Sequence, residues 1–268
     1  MTGPVRAAAY LRSPALPRPV TPVGVLAARL HLLVEDIERT HDIGSALLAE
    51  LQDLADLAGG LEPYTNRCTS PESADLARLV QATQAHDWGG PDVPVEQEML
   101  SGQVEGRFLA MLVQVMGATR VLDIGMFTGY SALAMAEALP YDGLVIGCEL
   151  DAGVAAFAQA GFDASRNGHK ISVRVGPAGA TLHDLAEAGE IFDLVFLDAD
   201  KAGYLAYLSI LLEGGPSGRG LLAPGGLICA DNTLLQGEPY RPRRANANGT
   251  AIARFNEAVA ADDRVEQV

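Results

Sequence analysis

The chain has 268 residues, 49% of them hydrophobic, and a formal net charge of −15. This length accommodates one large α/β domain with an accessory segment, and the hydrophobic fraction excludes a mainly disordered chain. The charge disfavours nucleic acid, an anionic membrane and polyanionic small molecules as partners, unless a local basic pocket overrides the overall repulsion.

The N-terminal region is basic and rich in proline. The first 34 residues contain four arginines, five prolines and no acidic residue. A transit peptide shares some of these features, but the prolines favour a flexible leader over residues 1–20. Residues 21–94 are then predicted to form an N-terminal helical segment that packs against a core, dimerises or covers a site.

Four helices are expected before the first strand. Helical spacing of apolar residues begins near Val25, and a second apolar run ends at Gly59-Gly60, a typical helix stop. Ser70-Pro71-Glu72 is typical of a cap and first turn. A loop rich in Gly, Pro and Asp follows, and a fourth helix is predicted from Val95 to about Met116.

From Arg120 onward, short apolar runs alternate with helical stretches. The predicted strands are Arg120–Ile124, Leu144–Cys148, Ile171–Val175, Leu194–Leu197 and Gly226–Ala230. This alternation predicts an α/β fold over residues 95–268, a Rossmann-like, doubly wound and mostly parallel sheet with helices on both faces. Ligands of such sheets bind beyond the carboxyl ends of the strands.

The three cysteines, Cys68, Cys148 and Cys229, lie far apart and form no C-x-x-C pair. We expect reduced thiols in a cytoplasmic protein. No apolar run approaches the roughly 20 residues that cross a bilayer.

A glycine-rich turn follows the first predicted strand in Val121-Leu122-Asp123-Ile124-Gly125-Met126-Phe127-Thr128-Gly129-Tyr130-Ser131. Its G-x-x-x-G spacing differs from the G-x-G-x-x-G that cradles a dinucleotide pyrophosphate. The zwitterionic tail of S-adenosylmethionine fits better, with Asp123 able to reach the ammonium group. Glycines at such positions also occur as plain turn residues.

Glu149 follows the second predicted strand. A carboxylate at that position can accept hydrogen bonds from both ribose hydroxyls of a nucleoside. The alternative is a solvated acid at a strand end.

Hard oxygen donors follow the fourth and fifth predicted strands. Asp198 ends one strand, and Asp231 and Asn232 end the other. Two carboxylates and an amide oxygen suit magnesium or another hard divalent cation, whereas zinc would favour histidine or cysteine. Each motif alone could also cap a helix.

The motifs V-L-D-I-G-x-x-T-G-Y-S, L-D-A-D-K-x-x-Y and D-N-T-L together resemble the metal-dependent O-methyltransferases of the caffeoyl-CoA and catechol class. The resemblance covers roughly Glu96 to Val268. It implies transfer of a methyl group from S-adenosylmethionine to a small-molecule oxygen, and a homodimer. The cofactor contacts that it implies are Ser101, Asp123, Gly125, Met126, Ser131, Glu149, Ala178 and Asp200. It also implies magnesium at Asp198, Asp231 and Asn232, a catalytic Lys201 that polarises or deprotonates the acceptor hydroxyl, and Tyr207 beside the acceptor.

A narrower resemblance concerns the substrate. Segments around Ser70, Met99, Met126 and Gln236 are similar to the O-methyltransferases of mycosporine-like amino acid biosynthesis. That similarity implies conversion of demethyl-4-deoxygadusol to 4-deoxygadusol, by chelation of two neighbouring oxygens. The wider family also continues with a further strand, so Arg264–Val268 is expected to be a penultimate strand whose successor is missing.

Other functions share part of this pattern. A catechol or phenylpropanoid methyltransferase shares every catalytic motif, and a panel of acceptors would distinguish it. A nicotinamide-dependent oxidoreductase lacks support because the third glycine is missing. A non-catalytic S-adenosylmethionine-binding protein fits poorly with Asp198, Lys201, Asp231 and Asn232. Nucleic-acid methylation is disfavoured by the net charge and by the absence of an N-P-P-Y-like motif.

Overall fold

A computed structural model describes residues 19–40, 44–88, 99–214, 218–241 and 246–268. The chain forms two compact units, the described parts of Met1–Thr69 with Leu234–Asn246, and of Ser70–Thr233 with Ala247–Val268. Most of the predicted leader lies outside the described residues. In the described part of the chain, no helix is long and apolar enough to cross a membrane.

The first unit contains two long helices, α1 (Pro22–Thr40) and α2 (Ser45–Cys68). The expectation that a helix stops at Gly59-Gly60 is wrong, because α2 continues through both glycines. A side chain at Gly59 would meet the His31 ring of α1 at 3.3 Å. This glycine therefore allows the two helices to approach each other closely, and it does not act as a cap.

Two helices of the second unit precede the sheet, α3 (Ala74–Ala85) and α4 (Gln103–Met116). Helix α3 is capped by Ser73, which accepts the Leu76 N–H at 3.1 Å, and not by Ser70 as the sequence indicated. Helix α4 begins at Gln103, later than the predicted Val95, which lies outside the described residues. It ends as predicted at Gly117, in the left-handed region at φ 63°.

The strands are β1 (Arg120–Ile124), β2 (Leu144–Glu149), β3 (Ile171–Val175), β4 (Phe192–Leu197) and β5 (Leu222–Ala230). The helices between and after them are α5 (Tyr130–Ala138), α6 (Ala152–Asp163), α7 (Ala178–Glu187), α8 (Tyr204–Glu213) and α9 (Ala247–Ala260). All strand pairs are parallel, in the order β3-β2-β1-β4-β5. The predicted Rossmann-like sheet is confirmed. Helix α3, which the sequence analysis grouped with the N-terminal segment, belongs to this second unit.

The strand order indicates where in the sheet a ligand site is expected. From β1 the chain moves outward through β2 and β3, then returns to pair β4 with the other side of β1. Ligands of open parallel sheets bind at such a reversal, because the loops after the two central strands diverge there. Both strands are buried: Val121, Leu122 and Ile124 of β1 and Leu194, Val195 and Leu197 of β4 have no exposed surface.

The C-terminal segment differs from expectation. The strand predicted at Arg264–Val268 is absent, and these residues lie in turns and irregular structure after α9. Asp262 accepts the Arg264 backbone N–H at 3.0 Å and also pairs with its guanidinium group. A second ion pair joins Arg264 to Glu213 of α8 at 2.9 Å. The bonds between Asp262 and Arg264 close a turn, and the pair with Glu213 joins that turn to α8.

Candidate active site

The glycine-rich turn after β1 lies against the end of β4. Gly125 has φ +94°, and a Cβ atom there would lie 2.5 Å from the carbonyl oxygen of Asp198. The N–H groups of Gly125 and Met126 donate to the Cys148 carbonyl oxygen at 3.1 and 3.0 Å. Only glycine permits this conformation at this distance, so the turn is fixed between the ends of β2 and β4.

Asp123 is fully buried at the end of β1, and one of its carboxylate oxygens lacks a partner. Ser131 donates to Oδ2 at 2.7 Å, while Oδ1 has no hydrogen-bond partner among the described residues. Burial raises the pKa of Asp123 to about 7. An unpaired buried acceptor is costly, so Oδ1 is suited to a donor that a ligand brings.

Glu149, at the end of β2, is held by backbone amides. Its Oε1 accepts the Asp151 N–H at 2.9 Å, and the N–H groups of Phe127 and Leu150 also donate to the carboxylate. Burial raises the pKa of this half-buried carboxyl. Its main-chain oxygen accepts the Gly176 N–H at 2.8 Å, which ties the loop before Ala178 to the same edge.

Asp198 and Lys201, at the end of β4, form an ion pair. The Lys201 Nζ lies 2.6 Å from Asp198 Oδ1 and 2.8 Å from the Tyr204 hydroxyl, and the lysine side chain is only 12% exposed. Burial raises the pKa of Asp198 to about 6, against the opposing effect of Lys201, and the charge of Asp231 raises it further. Asp231, at the end of β5, is therefore close enough for its charge to act on Asp198 at the end of β4.

Both carboxylate oxygens of Asp200 accept hydrogen bonds. Tyr207 donates its hydroxyl to Oδ1 at 2.5 Å, and the Gly203 N–H donates to Oδ2 at 2.9 Å. Tyr207 is buried, and its hydroxyl proton is directed at a predicted cofactor residue. Its position beside the acceptor stays a prediction.

Asp231 and Asn232 follow β5. The Asp231 N–H donates to the Leu197 carbonyl at 3.0 Å, which joins the ends of β4 and β5. Asn232 has φ 60°, a left-handed conformation that asparagine tolerates better than most residues, and its amide nitrogen donates to Asp231 Oδ2 at 2.7 Å. The Asn232 amide oxygen is thereby left as the atom available to a cation.

The predicted metal set combines two carboxylates with this amide. Within the described ranges, no group of three or more His, Cys, Asp or Glu side chains could hold a metal ion. The donor chemistry of Asp198, Asp231 and Asn232 nevertheless fits a hard cation, which takes amide and carboxylate oxygens alike. The Lys201 ammonium already provides one positive charge beside the Asp198 carboxylate.

Glu105, in the first turn of α4, is an acid that the sequence analysis missed. Burial raises its pKa to about 8, and the charges of Asp231, Asp198 and Asp123 add to that rise. Its contact with the predicted cofactor residue Ser101 is long, at 3.5 Å. The available indication was the four-residue spacing from Ser101, which places both side chains on one side of a turn.

An aromatic cluster of His86, Trp88, Phe127 and Phe157 adjoins the glycine-rich turn. The Trp88 ring centroid lies 5.3 Å from that of Phe127 and 5.2 Å from that of Phe157. Its indole N–H donates to the Thr83 carbonyl at 2.9 Å. Phe127 has φ 49°, so the cluster supports a residue in an uncommon backbone conformation.

The structure brings most of the predicted residues to one edge of the sheet. Asp123, Asp198 and Asp231 are close enough for their charges to raise the pKa of Glu105 together. Met126 is different, because its side chain is buried toward Gly147 and its N–H is already bonded to Cys148. Its contact with a cofactor remains a prediction.

Comparison with known proteins identifies the family to which this chain belongs. A protein-family model described as O-methyltransferase matches residues 67–268. The chain belongs to the O-methyltransferase family. Caffeoyl-CoA O-methyltransferase 2 of Zea mays is similar to this O-methyltransferase, with 35% identity over 246 residues, 87% of this chain and 84% of that protein.

Solved structures support the same assignment. The O-methyltransferase of Bacillus cereus in complex with SAH has a TM-score of 0.66 and 28% identity to this O-methyltransferase, covering 77% of this chain and 88% of that one. TomG of Streptomyces achromogenes, involved in tomaymycin synthesis and solved with SAM, has a TM-score of 0.65 and 28% identity, covering 76% and 85%. The predicted enzyme class, an S-adenosylmethionine-dependent O-methyltransferase, is confirmed.

Proposed function

We propose that this O-methyltransferase transfers a methyl group from S-adenosylmethionine to one of two neighbouring oxygens of a small acceptor, with a divalent cation at Asp198, Asp231 and Asn232. The observation that carries the proposal is the meeting of the Asp198–Lys201 ion pair with Asp231 and Asn232 at the ends of β4 and β5. Beside them lies Asp123 Oδ1, which has no hydrogen-bond partner in the part of the chain that the structure describes.

The cofactor side of the site would be formed by the ends of β1 and β2. S-adenosylmethionine supplies a methyl group on a positively charged sulfur. Asp123 Oδ1 would accept a hydrogen bond from its ammonium group, and Glu149, fixed by backbone amides, would accept from the ribose hydroxyls. Several carboxylates on one side of the site favour a cationic ligand over an anionic one.

The metal side would be formed by the ends of β4 and β5. Asp198, Asp231 and the Asn232 amide oxygen would hold the cation. When bound, such a cation would ligate two neighbouring oxygens of the acceptor and lower the pKa of the acceptor hydroxyl.

Lys201 would act on the acceptor. Its ammonium is tied to Asp198 and Tyr204, so it is placed to stabilise the acceptor oxygen as the proton leaves. In the transfer, a carbon–oxygen bond forms as the carbon–sulfur bond breaks, the hydroxyl proton passes to solvent, and S-adenosylhomocysteine remains. Positioning supplies much of the rate of such an in-line transfer, and a misplacement of about 1 Å can cost roughly a hundredfold.

We propose demethyl-4-deoxygadusol as the acceptor, on the motif similarity around Ser70, Met99, Met126 and Gln236. Its cyclohexenone ring carries neighbouring oxygens. A second candidate, a caffeoyl-type acceptor, is favoured by the 35% identity to a caffeoyl-CoA O-methyltransferase. The charge of this chain favours the first, because a coenzyme A thioester carries several phosphate charges and the chain has a net charge of −15.

The test compares acceptors directly. The purified enzyme is given S-adenosylmethionine and magnesium with demethyl-4-deoxygadusol, caffeoyl-CoA and a simple catechol in parallel. We expect demethyl-4-deoxygadusol to be preferred by more than tenfold in kcat/KM, which corresponds to about 1.4 kcal/mol of differential transition-state binding. Equal or better turnover of the other acceptors would overturn the substrate but not the reaction class.

A further inference from the structure

Tyr204, the first residue of α8, has so far been described only as a contact of Lys201, yet its hydroxyl lies inside the site. The side chain has no exposed surface. Its hydroxyl is 2.8 Å from Lys201 Nζ, 3.1 Å from the Leu197 carbonyl oxygen and 3.2 Å from the Asp231 carbonyl oxygen. It therefore lies between the ends of β4 and β5, next to the proposed catalytic ammonium.

The direction of these bonds follows from the chemistry of the groups. A lysine ammonium can only donate, so the Tyr204 oxygen accepts from Lys201. The phenol has one proton, which can go only to a carbonyl, either that of Leu197 or that of Asp231. The hydroxyl is thus oriented by main-chain atoms of two strands, with its lone pairs toward the lysine.

The ring itself has little freedom. Phe255 of α9 packs against it edge to face, with ring centroids 5.3 Å apart. Lys201 Nζ lies 4.9 Å from the ring centroid, so the ammonium sits beyond the hydroxyl end of the ring and its contact with Tyr204 is through the hydroxyl. Tyr204 is consequently a rigid partner for a flexible four-carbon side chain.

The other partner of Lys201 is Asp198, which the proposed function assigns to the cation. A carboxylate shared with a second cation holds an ammonium less firmly. We propose that Tyr204 is a positioning residue that holds the Lys201 ammonium in place for the acceptor hydroxyl. This inference rests on the proposed function, in which Lys201 acts on the acceptor.

The test is a double-mutant cycle between Tyr204→Phe and Lys201→Ala. Tyr204→Phe keeps the ring that packs on Phe255 and removes only the oxygen. We expect it to lower kcat at least tenfold while the Kd for S-adenosylhomocysteine and the thermal midpoint stay close to the parent values. In the Lys201→Ala background, measured as single turnover with excess enzyme, we expect Tyr204→Phe to have less than a threefold effect.

A matched control is Tyr207→Phe, which removes another buried tyrosine hydroxyl from the same helix, one bonded to Asp200 and not to Lys201. It should raise the KM for S-adenosylmethionine and lower activity by the same factor with or without Lys201. An unchanged kcat in Tyr204→Phe, or the same fold-loss in both backgrounds, would overturn the positioning role. Full activity in Lys201→Ala would instead refute the role of Lys201 in the proposed function.

Discussion

Ser131 donates a hydrogen bond of 2.7 Å to one carboxylate oxygen of Asp123, and the other oxygen of that buried carboxylate has no partner among the described residues. Such an oxygen is suited to a positively charged donor, and two further carboxylates end the neighbouring strands β4 and β5. The site therefore combines buried negative charge with open acceptor positions.

Removal of divalent metal should abolish activity. Asp198, Asp231 and Asn232 offer only oxygen donors, which suit magnesium. We expect no turnover in excess chelator and recovery when magnesium is restored. Asp231→Ala should also be inactive while keeping its circular dichroism spectrum, whereas Asp163→Ala, a change to an exposed acid at the end of α6, should keep full activity. Full turnover in chelator would contradict the metal proposal.

Glu149→Ala should weaken cofactor binding. Each hydrogen bond from a ribose hydroxyl to a carboxylate contributes about 1.5–3 kcal/mol, so the Kd for S-adenosylmethionine should rise at least tenfold in isothermal titration calorimetry. Glu187→Ala, at an exposed position at the end of α7, is the matched control and should bind like the parent. An unchanged Kd in Glu149→Ala would make Glu149 an ordinary solvated acid.

Glu105→Gln should stabilise the unliganded protein in a pH-dependent way. The pKa of Glu105 rises from 4.5 to about 8 on folding, through burial and the neighbouring acids. Between these values the folded protein keeps a proton that the unfolded chain has lost, so this residue lowers stability as pH rises from about 4.5 to 8. The glutamine variant avoids that cost. Its thermal midpoint in chelator should exceed that of the parent by at least about 2 °C at pH 8 and converge with it toward pH 5.

The control for this experiment is Glu187→Gln, an exposed position at which the midpoint should not change at either pH. A Glu105→Gln variant that is no more stable than the parent at pH 8 would show that the carboxyl is ionised without penalty in the fold.

Cofactor binding should change the fluorescence of Trp88. The chain contains one tryptophan, so its intrinsic tryptophan emission reports on this site alone. The indole ring lies 5.3 Å from Phe127, whose backbone N–H bonds to Glu149. We expect a saturable change of emission with S-adenosylhomocysteine, at the Kd found by calorimetry, and its loss in Trp88→Phe. Calorimetric binding without an emission change would place the cofactor away from the aromatic cluster.

Lys170→Met should destabilise the fold without changing the chemistry. The buried Lys170 ammonium donates to the carbonyl oxygens of Ala136 and Leu139, at 2.9 and 2.8 Å, and so satisfies the end of α5. Methionine keeps an unbranched side chain of similar length without the ammonium, and leaves these acceptors unpaired, at a cost of about 1–3 kcal/mol. Urea unfolding measures the loss, and His169→Ala at the exposed neighbouring position should lose much less. An equal stability of Lys170→Met and the parent would contradict this capping role.

The positions of the acidic site residues could be predicted from the sequence alone. Alternation of short buried strands with helices predicts a parallel sheet, and a parallel sheet brings every strand's carboxyl end to one edge. Asp123, Glu149, Asp198 and Asp231 lie at or just after the carboxyl end of a strand, so their presence at a common edge could be predicted without coordinates. The periodicity of apolar residues and the spacing of the polar residues that follow them carry this information within short segments of the sequence.

Contacts between distant segments were decided only by the tertiary structure. Gly59-Gly60 resembles a helix stop, yet α2 continues because Gly59 faces His31 of another helix. In the sequence Glu105 is indistinguishable from an ordinary acid of a helix. Only the structure shows that burial beside Asp123, Asp198 and Asp231 raises its pKa. Tyr204 stands three residues from Lys201 in sequence, but its role depends on the carbonyl of Asp231, which another strand supplies. Hydrogen-bond partners and desolvation depend on atoms from several elements, so no local pattern in the sequence specifies them.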